Sequence, residues 1–301
     1  MAVLTIPLDR PLDLERTLAP LRHGPSDPTI RLTAAEMWRA SRTPAGPASL
    51  HLRVEGRTVQ AESWGPGADW ELAALPDLIG QADRPEALRP AHPLIAELAR
   101  RFIGVRLTRT RRMVEALLPA VCEQKVTGLE ARRAYQRLIR AFGEPAPEPA
   151  GGPGLLLPPA PKRLAHLPYH ALHPLGLERR RAEVLQRIGA HADALEAAVA
   201  MAPDAARARL MVVPGIGPWT AAEATRVALG DPDAVSLGDY GLPALVAWAL
   251  AGERQADDVR MLELLAPYAG QRARVISLLE LGQSGPPRRG PRLAARRIEA
   301  L

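Results

Sequence analysis

Cysteine is almost missing from this sequence: its 301 residues include one, Cys122. A single thiol closes no internal disulfide. It also falls short of a structural zinc site or of the roughly four thiolates that hold an iron–sulfur cluster. Cys122 lies in the apolar pattern LLPAVCEQ and reads as a small core residue. Aromatic residues are scarce too, at 4% of the chain. Lysine occurs only at Lys125 and Lys162. No apolar run approaches the roughly 18 residues of a membrane span. The opening MAVLTIPLDRPLDL places acidic residues where a signal peptide would carry its apolar stretch. The expectation is a cytoplasmic protein with no membrane partner, no iron–sulfur cluster and no catalytic metal.

Arginine takes the place of lysine. The formal net charge is +6 and the sequence pI is about 10.2. Forked guanidinium groups suit phosphate partners, although a GC-rich genome enriches arginine as well. The 31 prolines predict short elements and defined turns. The pattern divides in three: a β-rich region over 1–84, a helical region over 85–282 and an Arg/Pro-rich tail over 283–301. In the first, Ser49–Val54 and Arg57–Trp64 alternate around Glu55-Gly56, as a β-hairpin does. TIPL and TIRL are plausible strands, with a short helix in LDLERTLAPL. From about Ala68 the period becomes helical. Helices are expected at 69–79, 93–102, 110–123, 129–142, 161–165, 177–188, 190–200, 204–211, 219–229, 241–251, 256–265 and 271–281. The Pro/Gly-rich stretch 144–161 reads as a loop without regular strand. The tail carries Arg288, Arg289, Arg292, Arg296 and Arg297; it reads as a solvated tail or as an auxiliary phosphate contact.

The most informative string is Leu210-Met-Val-Val-Pro-Gly-Ile-Gly-Pro-Trp-Thr-Ala221, within a helical hairpin over 205–230. One helix ends near Val212 and another begins near Pro218, where a missing N–H costs nothing. Gly215 and Gly217 permit backbone angles and close approach that a Cβ would block. Ile216 can plug the space between the helices. The free N–H groups of such a turn hold a phosphate, which gives affinity without sequence preference. A plain helix–helix turn is the competing reading. Beyond the second helix, Asp239 follows an apolar stretch and precedes GLPALVAWAL. It suits a helix N-cap. It also suits a fixed carboxylate that stabilises an oxocarbenium-like state and orients a water. The two roles are compatible.

The pairing VPGIGPWTA … VSLGDY resembles the helix-hairpin-helix, Gly-Pro-Asp superfamily of DNA glycosylases. Within it the sequence is most similar to the 3-methyladenine DNA glycosylase II branch, of the kind found in actinobacteria. EQKVTGLEARRAY, LGLERRRAEVL and LLAPYAGQRARVISLL agree with it. The resemblance is strong over roughly 85–282. It implies an α+β fold: an antiparallel N-terminal β domain, then a helical core of two subdomains. It implies Asp239 as the catalytic aspartate. Val213, Gly215, Ile216, Gly217 and Thr220 match the DNA-binding hairpin, with an Na+ or K+ expected on the carbonyls of Val212 and Ile216. Gln124, Lys125 and Val126 match the place where a side chain enters the gap left by a flipped base; Val126 reads as the wedge. They can equally just end a helix. Trp219 occupies the position of the nucleophilic lysine of bifunctional members, and a tryptophan forms no Schiff base. Neither lysine lies near the motif in sequence.

The resemblance therefore implies a monomeric, nucleoid-associated enzyme on double-stranded DNA. It would hydrolyse the N-glycosidic bond of alkylated purines without lyase activity, with no cofactor. A non-catalytic DNA-binding or lesion-sensing protein, or a glycosylase for another damaged base, are the alternatives. The base pocket is where the sequence departs from the branch, which stacks aromatics on cationic bases. Glu223 and Ser277 stand where rings are expected, and Trp219 and Tyr240 remain as candidates. A carboxylate at Glu223 can attract a cationic base or simply pair with an arginine.

Overall fold

The computed structural model describes residues 2–282, 285–286 and 298. The Arg-rich tail therefore lies largely outside the described residues. The chain opens with a five-stranded antiparallel sheet: β1 (Ala2–Pro7), β2 (Ile30–Leu32), β3 (Glu36–Thr43), β4 (Gly46–Glu55) and β5 (Thr58–Trp64), in the order β1-β5-β4-β3-β2. The expected hairpin is β4–β5, closed where Glu55 pairs with Thr58. One face is covered by the helices Leu14–Leu18 and Ala68–Leu78. Leu18, Met37, Leu52, Val59 and Leu75 are fully buried between them.

Two strand features depart from the sequence reading. β3 was not expected, because Arg39, Ser41 and Arg42 break its apolar alternation. Those polar groups are satisfied across the junction with the helices. Arg39 donates to Glu115 at 2.6 Å, and the same carboxylate accepts from the backbone N–H of Arg42 at 2.6 Å. The Pro/Gly-rich loop also holds a two-residue ladder, β6 (Glu144–Pro145) with β7 (Leu156–Leu157). It forms because Leu155 and Leu157 bury against Ala40 of β3, an anchor that composition alone does not reveal.

The helices lie close to their expected ranges and form two groups. The first includes Met113–Cys122, Gly128–Phe142, Arg179–Ala190, Pro203–Met211 and Pro218–Ala228, packed around Leu117, Leu138, Leu185, Leu210 and Ile216. Gly128–Phe142 begins with a capping box between Thr127 and Glu130. This supplies two of the N–H partners that a helix start lacks. The second group joins Pro93–Arg101 to the later helices Leu242–Ala251, Asp258–Leu265 and Arg272–Gly282. The chain thus enters the second group, builds the first, and returns. Asp239 lies on the return, between the groups. Among the described residues no helix is long and apolar enough to cross a membrane.

Candidate active site

The helix Pro203–Met211 runs out at Val212, and Pro218 opens the next helix. Ile216 is buried between the two, 4% exposed. Gly215 has φ +97°, and a Cβ there would collide with the Val184 side chain; both facts demand glycine. Gly217 differs. Its backbone is extended, with φ −95°, and a Cβ would meet nothing within 4 Å. The protein's own packing leaves Gly217 free, so the space in front of it is open to an approaching group.

The Gln124 stretch belongs to this hairpin. Gln124 Nε2 donates to the Gly215 carbonyl at 3.0 Å and to Thr220 Oγ1 at 2.9 Å. Arg187 donates to the Pro214 carbonyl at 3.1 Å. Lys125, next along, is exposed and left-handed at φ +55°, a conformation that costs a non-glycine residue roughly 1 kcal/mol or more. It occupies the tip between the helices Met113–Cys122 and Gly128–Phe142, and Val126 is half-buried behind it. Far from the hairpin in sequence, Lys125 is carried toward it by the contact of its neighbour Gln124, which spans about 90 residues. Arg181 supports the same loop from below. It is 1% exposed and donates to the Cys122 carbonyl at 2.8 Å. Cys122 is buried, and desolvation pushes its thiol up to about 12, so it remains a neutral core group.

Asp239 is held at both oxygens. Oδ1 accepts from the backbone N–H groups of Gly241 and Leu242, each at 2.8 Å. The N-cap position itself is Gly241, so Asp239 reaches forward to the helix start. Oδ2 accepts from Trp219 Nε1 at 3.1 Å. Trp219, expected as a stacking wall, is tied by its polar edge to the carboxylate.

A cavity of about 340 Å³ lies beside Asp239. It is lined by Glu223, Arg226, Ser236, Leu242, Ile276 and Glu280, among others. No aromatic residue is among its described lining. Tyr240 is 94% exposed and outside the lining. Ser277 also falls outside the lining, and Ile276 and Glu280 take its place. Those two lie four apart on one helix face, and Ser277 is rotated about 100° from Ile276. Arg226, Ser236 and Glu280 escaped the sequence reading. The i,i+3 spacing of Glu223 and Arg226 was the available signal.

The charges in this cavity are largely spent on one another. Glu223 accepts from Arg226 at 2.8 Å and, very closely, from Ser236 Oγ. Arg226 also reaches Glu280 at 3.4 Å. Glu223 foremost raises the Arg226 guanidinium above its ordinary value. Burial foremost, with Glu223 and Asp239, raises the Glu280 carboxyl, while Arg226 draws it back. Glu223 and Arg226 also line a second cavity of about 380 Å³ at the junction with the sheet, with His23, Glu123, Arg132 and Tyr135. The ion pair is thus a wall between two chambers. Glu123, on the far side, is pushed up to about 7, first by burial and then by Glu223. Among the described residues there is no cluster of ligands that could hold a metal ion.

No protein-family model matches the chain. It is 30% identical over 153 residues to a Mycobacterium tuberculosis protein named "Probable bifunctional transcriptional activator/DNA repair enzyme AlkA"; the match covers 50% of this chain and only 30% of that one. The 3-methyladenine DNA glycosylase of Archaeoglobus fulgidus superposes over 92% of this chain and 97% of its own, with TM-score 0.74 and 21% identity. This chain has the fold of the helix-hairpin-helix DNA glycosylases. The same fold extends to the 8-oxoguanine glycosylase/lyase of Clostridium acetobutylicum in complex with double-stranded DNA, which covers 92% of this chain and 96% of its own, with TM-score 0.67 and 12% identity. The glycosylase fold accounts for the sheet, the two helical groups and the hairpin together. Neighbours with different chemistries share it, so it does not by itself select one.

Proposed function

We propose that this protein is a monofunctional, monomeric DNA glycosylase that hydrolyses the N-glycosidic bond of alkylated purines in duplex DNA, as the first step of base excision repair. The observation that carries the reading is Asp239: a carboxylate fixed by three hydrogen-bond donors, lining a cavity of about 340 Å³ and bonded to Trp219 of the hairpin. The N–H groups of Gly217 and of the helix start after Pro218 grip backbone phosphate, and the open space at Gly217 lets it come close. The target base leaves the stack, and the loop tip at Lys125 and Val126 fills the gap. As the C1′–N bond lengthens, positive charge grows on the sugar, and Asp239 stabilises it. Asp239 then orients the water that attacks C1′. We place the monovalent cation on the carbonyls of Val212 and Ile216, since those of Pro214 and Gly215 are engaged by Arg187 and Gln124.

Released base is measured from duplexes carrying 3-methyladenine, 7-methylguanine, hypoxanthine or uracil. Release by the wild type and a loss of about 1000-fold in Asp239→Asn are expected. No release from any lesion would overturn the enzyme reading in favour of a binding protein. Borohydride trapping and strand nicking test monofunctionality. A trapped adduct that disappears in Lys125→Ala would make that lysine a nucleophile and the enzyme a lyase.

A further inference from the structure

Three acidic side chains face the cavity beside Asp239, with one arginine among them. Two of the three are spent. Asp239 accepts at both oxygens from Gly241, Leu242 and Trp219, and Glu223 accepts at both from Ser236 and Arg226. Glu280 is the exception. One of its oxygens receives Arg226 at a long 3.4 Å, the other has no partner among the described residues, and its side chain is 48% exposed. Arg226 Nε is buried and also without a partner among them. The wall beside Glu280 is aliphatic, from Leu242, Leu245 and Ile276.

We infer that Glu280 is the specificity-determining residue of this pocket, and that it selects purines carrying a positive charge by ion pairing where an aromatic ring would otherwise stack. This inference rests on the glycosylase reading. Three acids against one arginine give the chamber an excess of negative charge, which attracts a cationic base. The free oxygen of Glu280 is the acceptor still available to an N–H of that base. The aliphatic wall contacts the ring face without contributing quadrupole attraction, so the discrimination falls on the carboxylate. Glu223, which the sequence offered for this task, is already neutralised by Arg226.

The test uses two probes that need no turnover: 3,9-dimethyladeninium, a purine with a fixed positive charge, and neutral 9-methyladenine. Binding of each to the full-length wild type, Glu280→Gln and Glu280→Asp is measured by calorimetry, with thermal unfolding to confirm the fold. Loss of a charged hydrogen bond predicts about tenfold weaker binding of the cation to Glu280→Gln, no change for the neutral probe, and partial recovery in Glu280→Asp. In parallel, single-turnover excision of 7-methylguanine, cationic in DNA, should slow about tenfold in Glu280→Gln, while hypoxanthine excision stays level. Equal losses for cationic and neutral ligands, or none, would overturn the assignment. If the wild type excises neither base, the glycosylase reading falls, and the small-molecule measurement still decides the role of Glu280.

Discussion

The helix Pro218–Ala228 does different work at its two ends. Its first turn belongs to the hairpin, where glycine geometry, a proline start and the contacts of Gln124 shape the backbone. Two turns later Glu223 and Arg226 face a chamber where side-chain charge decides everything. In the proposed reading the first end holds a group that is the same in every nucleotide, so backbone N–H groups suffice and few sequences can form them. In the same reading the second end distinguishes one base from another, and many side chains can fill it. The contrast fits a hairpin string of fixed residues beside a chamber lined without aromatic residues among those described.

The sharpest way to break the contrast is at the two glycines. Gly215→Ala forces a side chain into a left-handed backbone and into Val184, and should cost about 3 kcal/mol of stability, read from denaturant unfolding. Gly217→Ala should leave the midpoint unchanged, because nothing lies near its Cβ. It should nevertheless weaken duplex binding about tenfold by blocking close approach of a phosphate. If Gly217→Ala binds duplex normally, the hairpin is a structural turn and nothing more.

At the other end, Arg226→Met leaves Glu223 and Glu280 facing each other with no cation between them. The pair is about one-fifth exposed, so a loss of about 2 kcal/mol is expected, below the range for fully buried pairs. Glu223→Gln, which keeps its hydrogen-bonding shape, should cost less. Equal effects would mean that shape, not charge, holds the wall. Trp219→Phe keeps the ring and deletes the N–H to Asp239. Base release should fall about tenfold with duplex affinity unchanged, which separates positioning of the carboxylate from grip on the DNA.

The parts of the molecule that were readable in the sequence are those set by local pattern. β4–β5 alternates, the helices keep their period, and Leu210–Ala221 needs its residues in order. β3 was missed because the side chain of Arg39 is satisfied by Glu115, and that of Arg42 by the Pro158 carbonyl and Glu144, all far away in sequence. The pocket was half-read for the same reason. Trp219 and Glu223 were identified, but their partners Asp239, Ser236 and Arg226 give them different jobs from those expected. Ser277 stands next to Ile276 on its helix, and the cavity is lined by Ile276 and not by Ser277.

The smallest effect sits on the far side of the wall. Glu123 is raised from an ordinary 4.5 to about 7 in the folded chain. Between these values the folded state holds a proton that the unfolded chain has released, so stability falls as pH rises through that window. Above about pH 8 the whole penalty is present; near pH 4 both states are protonated and it vanishes. The Glu123 side chain is 37% exposed, so solvent screening reduces the cost to about 1 kcal/mol. Glu123→Gln should therefore stabilise the protein by about that amount at pH 8 and hardly at all at pH 4, measured by thermal unfolding at both. Gain at both pH values would point to relief of packing, and would remove Glu123 from the charge balance that spans the Glu223–Arg226 wall. A gain confined to high pH confirms that Glu123 carries the proton, held first by burial and next by Glu223, which lines the pocket beside Asp239 as well.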